Sequence, residues 1–212
     1  MHNTLVLTSS NRLMEHQTVV AVQDLVNAGA GYIEQRDTGD VSLARNVALT
    51  LALRSMADGP HEAVLMIDDD MVFGREHAEA VVRHALARDV PTSACYVLPD
   101  GRLAATHFAG ERWLTGLGFL CIPRAQLFVL ASQSTRFRGH RGAQDWLVEF
   151  TRSCADQLID GELHWESEDY RLTRRLGGVE LLPIAVGHVK KRVLLPDQSA
   201  LAEFITTEQA KS

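Results

Sequence analysis

The residues with the clearest chemical potential are three consecutive carboxylates, Asp68-Asp69-Asp70, that end the apolar run Ala63-Val64-Leu65-Met66-Ile67. Adjacent carboxylates repel one another and resist leaving water, so setting them against a buried strand is costly unless a cation or hydrogen-bond donors compensate. Oxygen ligands on a short stretch of backbone suit hard Mg²⁺ or Mn²⁺, which keep positions open for phosphate oxygens and water. If the strand pleat continues, Asp68 and Asp70 face one side and Asp69 the other, because side chains alternate. The competing reading makes Asp70 the cap of the helix after Met71-Val72-Phe73-Gly74, with Asp68 and Asp69 as solvated turn residues.

Four further segments carry groups of matching chemistry. His188 follows the apolar stretch Leu181 to Val186 through Gly187, and its imidazole could add a metal ligand, although a lone histidine at a strand end is ordinarily hydrogen-bonded. Ser167-Glu168-Asp169 stands at a helix start, where carboxylates are favoured by unpaired N–H groups and by the helix dipole. Its sharper reading makes one carboxylate a general base, with Asp169 preferred over Glu168. Arg45, beside Asn46, carries a guanidinium fork that could meet a diphosphate or pair with nearby acids. Lys190-Lys191-Arg192 could close over phosphate, although short basic runs are usually solvated surface.

Other signals are weaker. Gly116-Leu117-Gly118-Phe119 lacks the fuller GxGxxG pattern of a phosphate cradle, and Trp113 and Trp165 could stack on a sugar or sit in the core.

The elements that must position these groups alternate in type. Thr4 to Thr8 reads as a strand, about Met14 to Ala28 as a helix, and Gly31 to Arg36 as a second strand. Asp40 or Ser42 then caps a helix with Leu43, Val47 and Leu51 on one face. Glu62 to Asp68 is apolar throughout its centre, as expected of a parallel strand covered by helices on both faces. A helix from about Arg75 to Arg88 and a strand from about Thr92 to Leu98 complete the alternation. The pattern predicts an α/β fold with a mostly parallel sheet, in which ligands gather at strand C-termini.

Beyond Pro99 the sequence predicts a hairpin at Asp100-Gly101, an apolar segment Thr115 to Ile122, and an irregular polar stretch Ser132 to Gln144 that could move as a loop. A helix from about Glu168 to Leu176, a strand Val179 to Val186 and an amphipathic tail Ser199 to Glu208 follow. No internal repeat or linker interrupts them, so a single domain is expected over 1–195, followed by a tail (196–212).

Composition narrows the class. With 46% hydrophobic and 23% charged residues the chain of 212 can bury a core without staples. The net charge of -6 argues against a broad nucleic-acid footprint. Three scattered cysteines, Cys95, Cys121 and Cys154, fit a reducing cytoplasm, and no apolar run or leader suggests a membrane span.

The collinear set Ser42-Leu43-Ala44-Arg45-Asn46, Ile67-Asp68-Asp69-Asp70-Met71, Gly116-Leu117-Gly118-Phe119, Ser167-Glu168-Asp169-Tyr170 and Val186-Gly187-His188 resembles glycosyltransferases of the GT-A fold, nearest to small family-2-like or phage-type enzymes. The resemblance implies a Rossmann-like α/β/α sandwich with a nucleotide-sugar-binding half (1–99) and an acceptor and metal-completing half (100–195), a host's cytoplasm as the location if the gene is a phage's, and transfer of a sugar from a nucleoside-diphosphate donor to a hydroxyl on a glycan, lipid, protein or modified nucleobase. It implies that Mn²⁺ or Mg²⁺ is held by Asp68, Asp70 and His188, and that Glu168-Asp169 supplies the base. It further implies that a loop Thr8-Ser9-Ser10 lies along the base and ribose, and that Arg45, Asp68, Asp69, Gly118 and Lys190 surround the donor. The chain is short for such enzymes, so a partner subunit, as in a homo-oligomer, could complete the acceptor side. Two other classes compete: a nucleotidyltransferase, disfavoured by the missing glycine-rich, lysine-bearing N-terminal loop, and a non-catalytic sugar-nucleotide-binding domain.

Overall fold

The computed structural model describes residues 1–10, 13–36, 40–98, 100–138, 146–159, 162–189 and 193–194, with backbone alone for 154–159, 162–165 and 193–194. The first half runs β1 (Thr4–Ser10), α1 (His16–Asn27), β2 (Gly31–Arg36), α2 (Val41–Asp58), β3 (Ala63–Ile67), β4 (Met71–Val72), α3 (Arg75–Arg88) and β5 (Thr92–Cys95). It continues with β6 (Ala105–Ala109), β7 (Arg112–Thr115), β8 (Phe119–Pro123), α4 (Arg124–Ser132), β9 (Arg136–Arg138) and β10 (Trp146–Val148). Last come β11 (Cys154–Ile159), β12 (Glu162–Glu166), α5 (Glu168–Arg175), β13 (Glu180–Ala185), β14 (Gly187–Val189) and β15 (Val193–Leu194).

The central sheet has the order β13-β5-β8-β3-β1-β2. Five strands point one way, and β8 runs against its neighbours β3 and β5. The mostly parallel α/β sheet expected from the alternation is therefore present. The apolar segment Thr115 to Ile122 supplies, from Phe119 onward, the antiparallel strand wedged into its middle.

Strand alternation builds two cores, one per face. On one side Leu5, Leu7, Val64, Met66, Leu120 and Ile122 meet Ala48, Leu49 and Ala52 of α2, with α4 and α5 alongside. On the other, Val6, Leu65, Ile67, Phe119 and Cys121 meet Val22 and Leu25 of α1 and Val81 and Val82 of α3. A strand whose two faces are both covered must be apolar at every position, which is why all five residues of β3 are buried. The three layers make an α/β/α sandwich.

Helix α2 is rotated from the expected face. Leu43, Val47 and Leu51 do not form its buried stripe: Leu51 is exposed, and Ala44, Ala48, Leu49, Ala52 and Met56 pack inward. The turn follows from polar demands at its start, since Arg45 and Asn46 are both buried and must face their partners. Asp40 caps the helix, its carboxylate accepting from the amides of Ser42 (2.8 Å) and Leu43 (3.2 Å).

Asn46 is the bracket between α2 and the segment after β10. Its side chain donates to the Thr151 carbonyl (2.8 Å) and accepts from the amides of Phe150 (2.8 Å) and Thr151 (3.0 Å). Orphaning buried groups costs about 1–3 kcal/mol each. Asn46→Ala is expected to destabilise the fold by about 3 kcal/mol, read as a lower midpoint in urea unfolding with an unchanged m-value.

The Asp100-Gly101 turn forms as expected, with the Gly101 amide donating to Leu98 (2.9 Å) and Gly101 at φ 86°. Trp113 is fully buried core, and Cys95 and Cys121 are buried free thiols. Burial pushes the Cys95 thiol up to about 12. The amphipathic tail, residues 139–144 and Lys190-Lys191-Arg192 lie outside the described residues; the rest of the expected loop Ser132 to Gln144 is not irregular throughout, since Ser132 ends α4 and Arg136–Arg138 form β9. Among the described residues no helix is long and apolar enough to cross a membrane.

Candidate functional site

A cavity of about 550 Å³ opens at the C-terminal ends of β1, β3 and β5, walled by the starts of α2 and α5. That edge is where an open α/β sheet presents loops and strand ends to a ligand. The volume lies within the range usual for small-molecule sites.

The acidic run does not continue the pleat of β3. The strand ends at Ile67, Asp69 and Asp70 form a turn, and β4 follows at Met71. All three carboxylates therefore line the same cavity, rather than Asp69 turning away. Each has a different protein partner: Asp68 meets Arg45, Asp69 accepts from the Ser10 hydroxyl, and Asp70 meets His188. Asp69 thus ties the end of β3 to the end of β1, and its carbonyl also accepts from the Glu15 amide (2.8 Å). Asp70 is not the cap of α3, whose N-cap is Gly74.

His188 reaches Asp70 through strand pairing. β14 pairs antiparallel with β4, setting His188 opposite Met71, and the Val189 amide donates to the Asp70 carbonyl (2.7 Å). The His188 Nε2 then lies 3.0 Å from Asp70 Oδ1, with both side chains buried. Its Nδ1 is 3.2 Å from the Val97 carbonyl, which can only accept, so that nitrogen carries the proton. In the neutral imidazole the Nε2 lone pair faces a carboxylate oxygen. Two acceptors in that position call for a second proton or a cation between them. Asp70 Oδ1 and His188 Nε2 are the two atoms here that would ligate a cation, with the Val97 carbonyl fixing the imidazole tautomer from behind. Among the described residues no group of three or more His, Cys, Asp and Glu side chains converges as a metal cluster.

The second centre is Arg45, which is 4% exposed. Its Nη1 donates to Glu168 (2.8 Å) and to Asp169, and its Nη2 donates to Asp68 (3.1 Å). Burial alone would lower the guanidinium pKa, but the three carboxylates outweigh it and raise it, so Arg45 stays charged. Its Nε is buried with no hydrogen-bond partner among the described residues.

The two neighbouring acids of α5 are not equivalent. Ser167 caps the helix, leaving Glu168 and Asp169 free of that task. Glu168 is held on both sides, by Arg45 and by the Ser153 hydroxyl (2.8 Å). Asp169 is bound, among the described residues, through Oδ1, and it lines the cavity. Burial lifts its pKa, Arg45 draws it down, and the nearby Asp68 and Glu168 charges lift it again, leaving it at about 6. A carboxylate tuned toward neutrality suits proton transfer.

Of the other sequence-singled residues, Ser9 and Ser10 line the cavity. Thr8 does not: it is fully buried, with its hydroxyl 2.8 Å from that of Tyr32, and all three residues belong to β1 rather than to a loop. Gly118 lies just behind the wall, its carbonyl accepting from the Asp68 amide (3.1 Å) and its amide donating to Tyr96 Oη (3.1 Å). Trp165 has no described side chain, and Lys190 lies outside the described residues. The residue that sequence reading missed is Tyr96, buried just past β5 and lining the cavity beside His188. A lone tyrosine inside an apolar run gives no spacing signal.

The sequence matches no protein-family model and no curated protein. The fold does match: the chain superposes on the crystal structure of A197 from STIV with a TM-score of 0.53 and 15% identity, over 93% of this chain and 95% of that one. At that identity the likeness concerns the fold alone.

Proposed function

We propose that this protein is a metal-dependent glycosyltransferase that moves a sugar from a nucleoside-diphosphate donor to an acceptor hydroxyl. The observation that carries the reading is the convergence, on one cavity at the sheet's C-terminal edge, of the Asp70-His188 donor pair and the Arg45-held carboxylates with Asp169. The likeness to A197 from STIV supports the fold on which the reading rests.

Asp70 and His188 would hold Mn²⁺ or Mg²⁺, with Asp68 at the same wall and the remaining positions left to diphosphate oxygens and water. When bound, the ion supplies Lewis-acid neutralisation of the leaving diphosphate. The protein's own residues do the rest. Arg45 fixes Asp68 and Asp169 relative to one another, Ser9 offers its hydroxyl along the donor side, and Ser10 braces Asp69. Asp169 takes the proton from the acceptor hydroxyl as its oxygen bonds to the sugar carbon. The bond from that carbon to the diphosphate oxygen breaks at the same time, and its electron pair leaves with the diphosphate.

A thermal-shift screen of UDP-, GDP-, CDP- and ADP-linked sugars checks the donor half of this reading. Ligand at 100-fold its Kd stabilises the native state by about 2.7 kcal/mol, so a rise of several degrees is expected with one nucleotide class and Mn²⁺ together. A panel with no metal-dependent shift would count against it.

A further inference from the structure

Tyr96 carries a hydroxyl whose surroundings leave one hydrogen-bonding role open. The side chain is 5% exposed and lines the cavity. Its Oη accepts from the Gly118 amide at 3.1 Å, and among the described residues nothing accepts its proton. The ring is held in place by His188, edge-on at 5.7 Å between centroids, and by two glycines. A Cβ on Gly116 would fall 2.1 Å from Tyr96 Oη, and one on Gly118 would fall 3.1 Å from it. The backbone of this segment is therefore shaped around the phenol. The same point beside Gly116 lies 3.6 Å from Asp169 Oδ2, the oxygen of that carboxylate with no donor among the described residues. An unspent O–H donor and an unspent carboxylate oxygen thus stand near one another beside Gly116 on the cavity wall.

We propose that Tyr96 and Asp169 together form the acceptor clamp: Tyr96 donates its O–H to the acceptor oxygen while Asp169 Oδ2 accepts the proton of that same group. The pairing deepens the glycosyltransferase reading and rests on it. It also names the acceptor class. A hydroxyl can accept one hydrogen bond and donate another. A carboxylate or phosphate has no proton for Asp169 and is repelled by it, and an ammonium has no lone pair for Tyr96. In the transfer step the acceptor oxygen forms the bond to the sugar carbon, the carbon–diphosphate bond breaks with its electrons leaving on the diphosphate, and the proton ends on Asp169. Tyr96 keeps its proton throughout.

The test uses the full chain with UDP-, GDP-, CDP- and ADP-glucose and Mn²⁺, following nucleoside-diphosphate release with water alone and with added glycerol as the hydroxyl probe. Tyr96→Phe is expected to raise the KM for glycerol about tenfold while leaving the donor's thermal-shift Kd within twofold of wild type. Gly116→Ala, which crowds the same hydroxyl without removing it, is expected to act in the same direction, so a folding defect in one variant leaves the other to decide. An unchanged glycerol KM in a folded variant, or a donor Kd weakened as much as the glycerol KM, would overturn the clamp. Wild-type protein that binds donors but turns none over, with or without glycerol, would overturn the parent reading and the clamp with it.

Discussion

Asp70→Ala and His188→Ala are each expected to lower kcat/KM for donor turnover by about three orders of magnitude, the scale of losing one preorganised electrostatic element at a reacting centre. Both residues meet across the β4–β14 pairing, and their side chains touch at 3.0 Å. Removing either leaves one donor where two are needed to hold an ion against diphosphate competition. The loss should appear in Mn²⁺ titrations as well as in turnover, with nucleoside-diphosphate affinity weakened in parallel. The backbone register does not depend on either side chain, because the Val189 amide to Asp70 carbonyl bond remains. Far-UV circular dichroism should therefore stay native. Metal-dependent donor hydrolysis persisting unchanged in both variants would refute the assignment.

Asp169→Asn is expected to cost between about 10² and 10⁴ in kcat, the usual worth of a positioned general base, while making the protein more stable. The reason is the same in both cases. Asp169 titrates at about 6 in the folded protein, against 3.8 for an ordinary aspartate. A carboxyl whose folded pKa is raised binds a proton in the native state that the unfolded chain has already released. Stability therefore falls as pH climbs from about 4 to about 6, and above that window the ionised group is a standing cost of no more than about 3 kcal/mol. Asparagine keeps an acceptor for Arg45 and removes the charge. Its melting temperature should exceed wild type by a few degrees at pH 7.5 and converge with it near pH 4. In the wild type, kcat/KM should rise with pH through an inflection near 6 as the base ionises, and the variant should lose that inflection. A variant that is inactive and no more stable at pH 7.5 would separate the base role from the pKa argument.

These effects trace back to residues that sequence alone exposed unevenly. The run from Ala63 to Ile67 was legible as a covered parallel strand because a two-sided burial requirement leaves an unbroken apolar signature. The bounds of β2 and α3 were legible for similar reasons, from alternation, capping and helical period. The rotation of α2 was not. An apolar stripe through Leu43, Val47 and Leu51 is a reasonable face until Arg45 and Asn46 demand burial, and that demand comes from Asp68, Glu168, Asp169 and Thr151, remote in sequence. The antiparallel β8 was equally hidden, since nothing local to Phe119–Pro123 tells it to insert between β3 and β5.

The site shows the same division. Residue types announced Asp68, Asp69, Asp70 and His188, but not how the acids part company. The pleat argument failed because β3 stops at Ile67, and the turn that follows lets all three acids face one cavity through three different partners. Tyr96 is silent in the sequence because its meaning lies in Gly116 and Gly118, two residues remote from it that make room for a hydroxyl. The preference between Glu168 and Asp169 likewise turns on Ser153, whose hydroxyl occupies one acid and leaves the other with an open oxygen.

The most direct measurement is nucleoside-diphosphate release from the UDP-, GDP-, CDP- and ADP-glucose panel, followed chromatographically with Mn²⁺, with Mg²⁺ and with excess chelator. The account predicts release from at least one donor that depends on the added cation, stops with chelator, and is lost in Asp70→Ala. Release indifferent to chelator, or none from any donor with either cation, would contradict it.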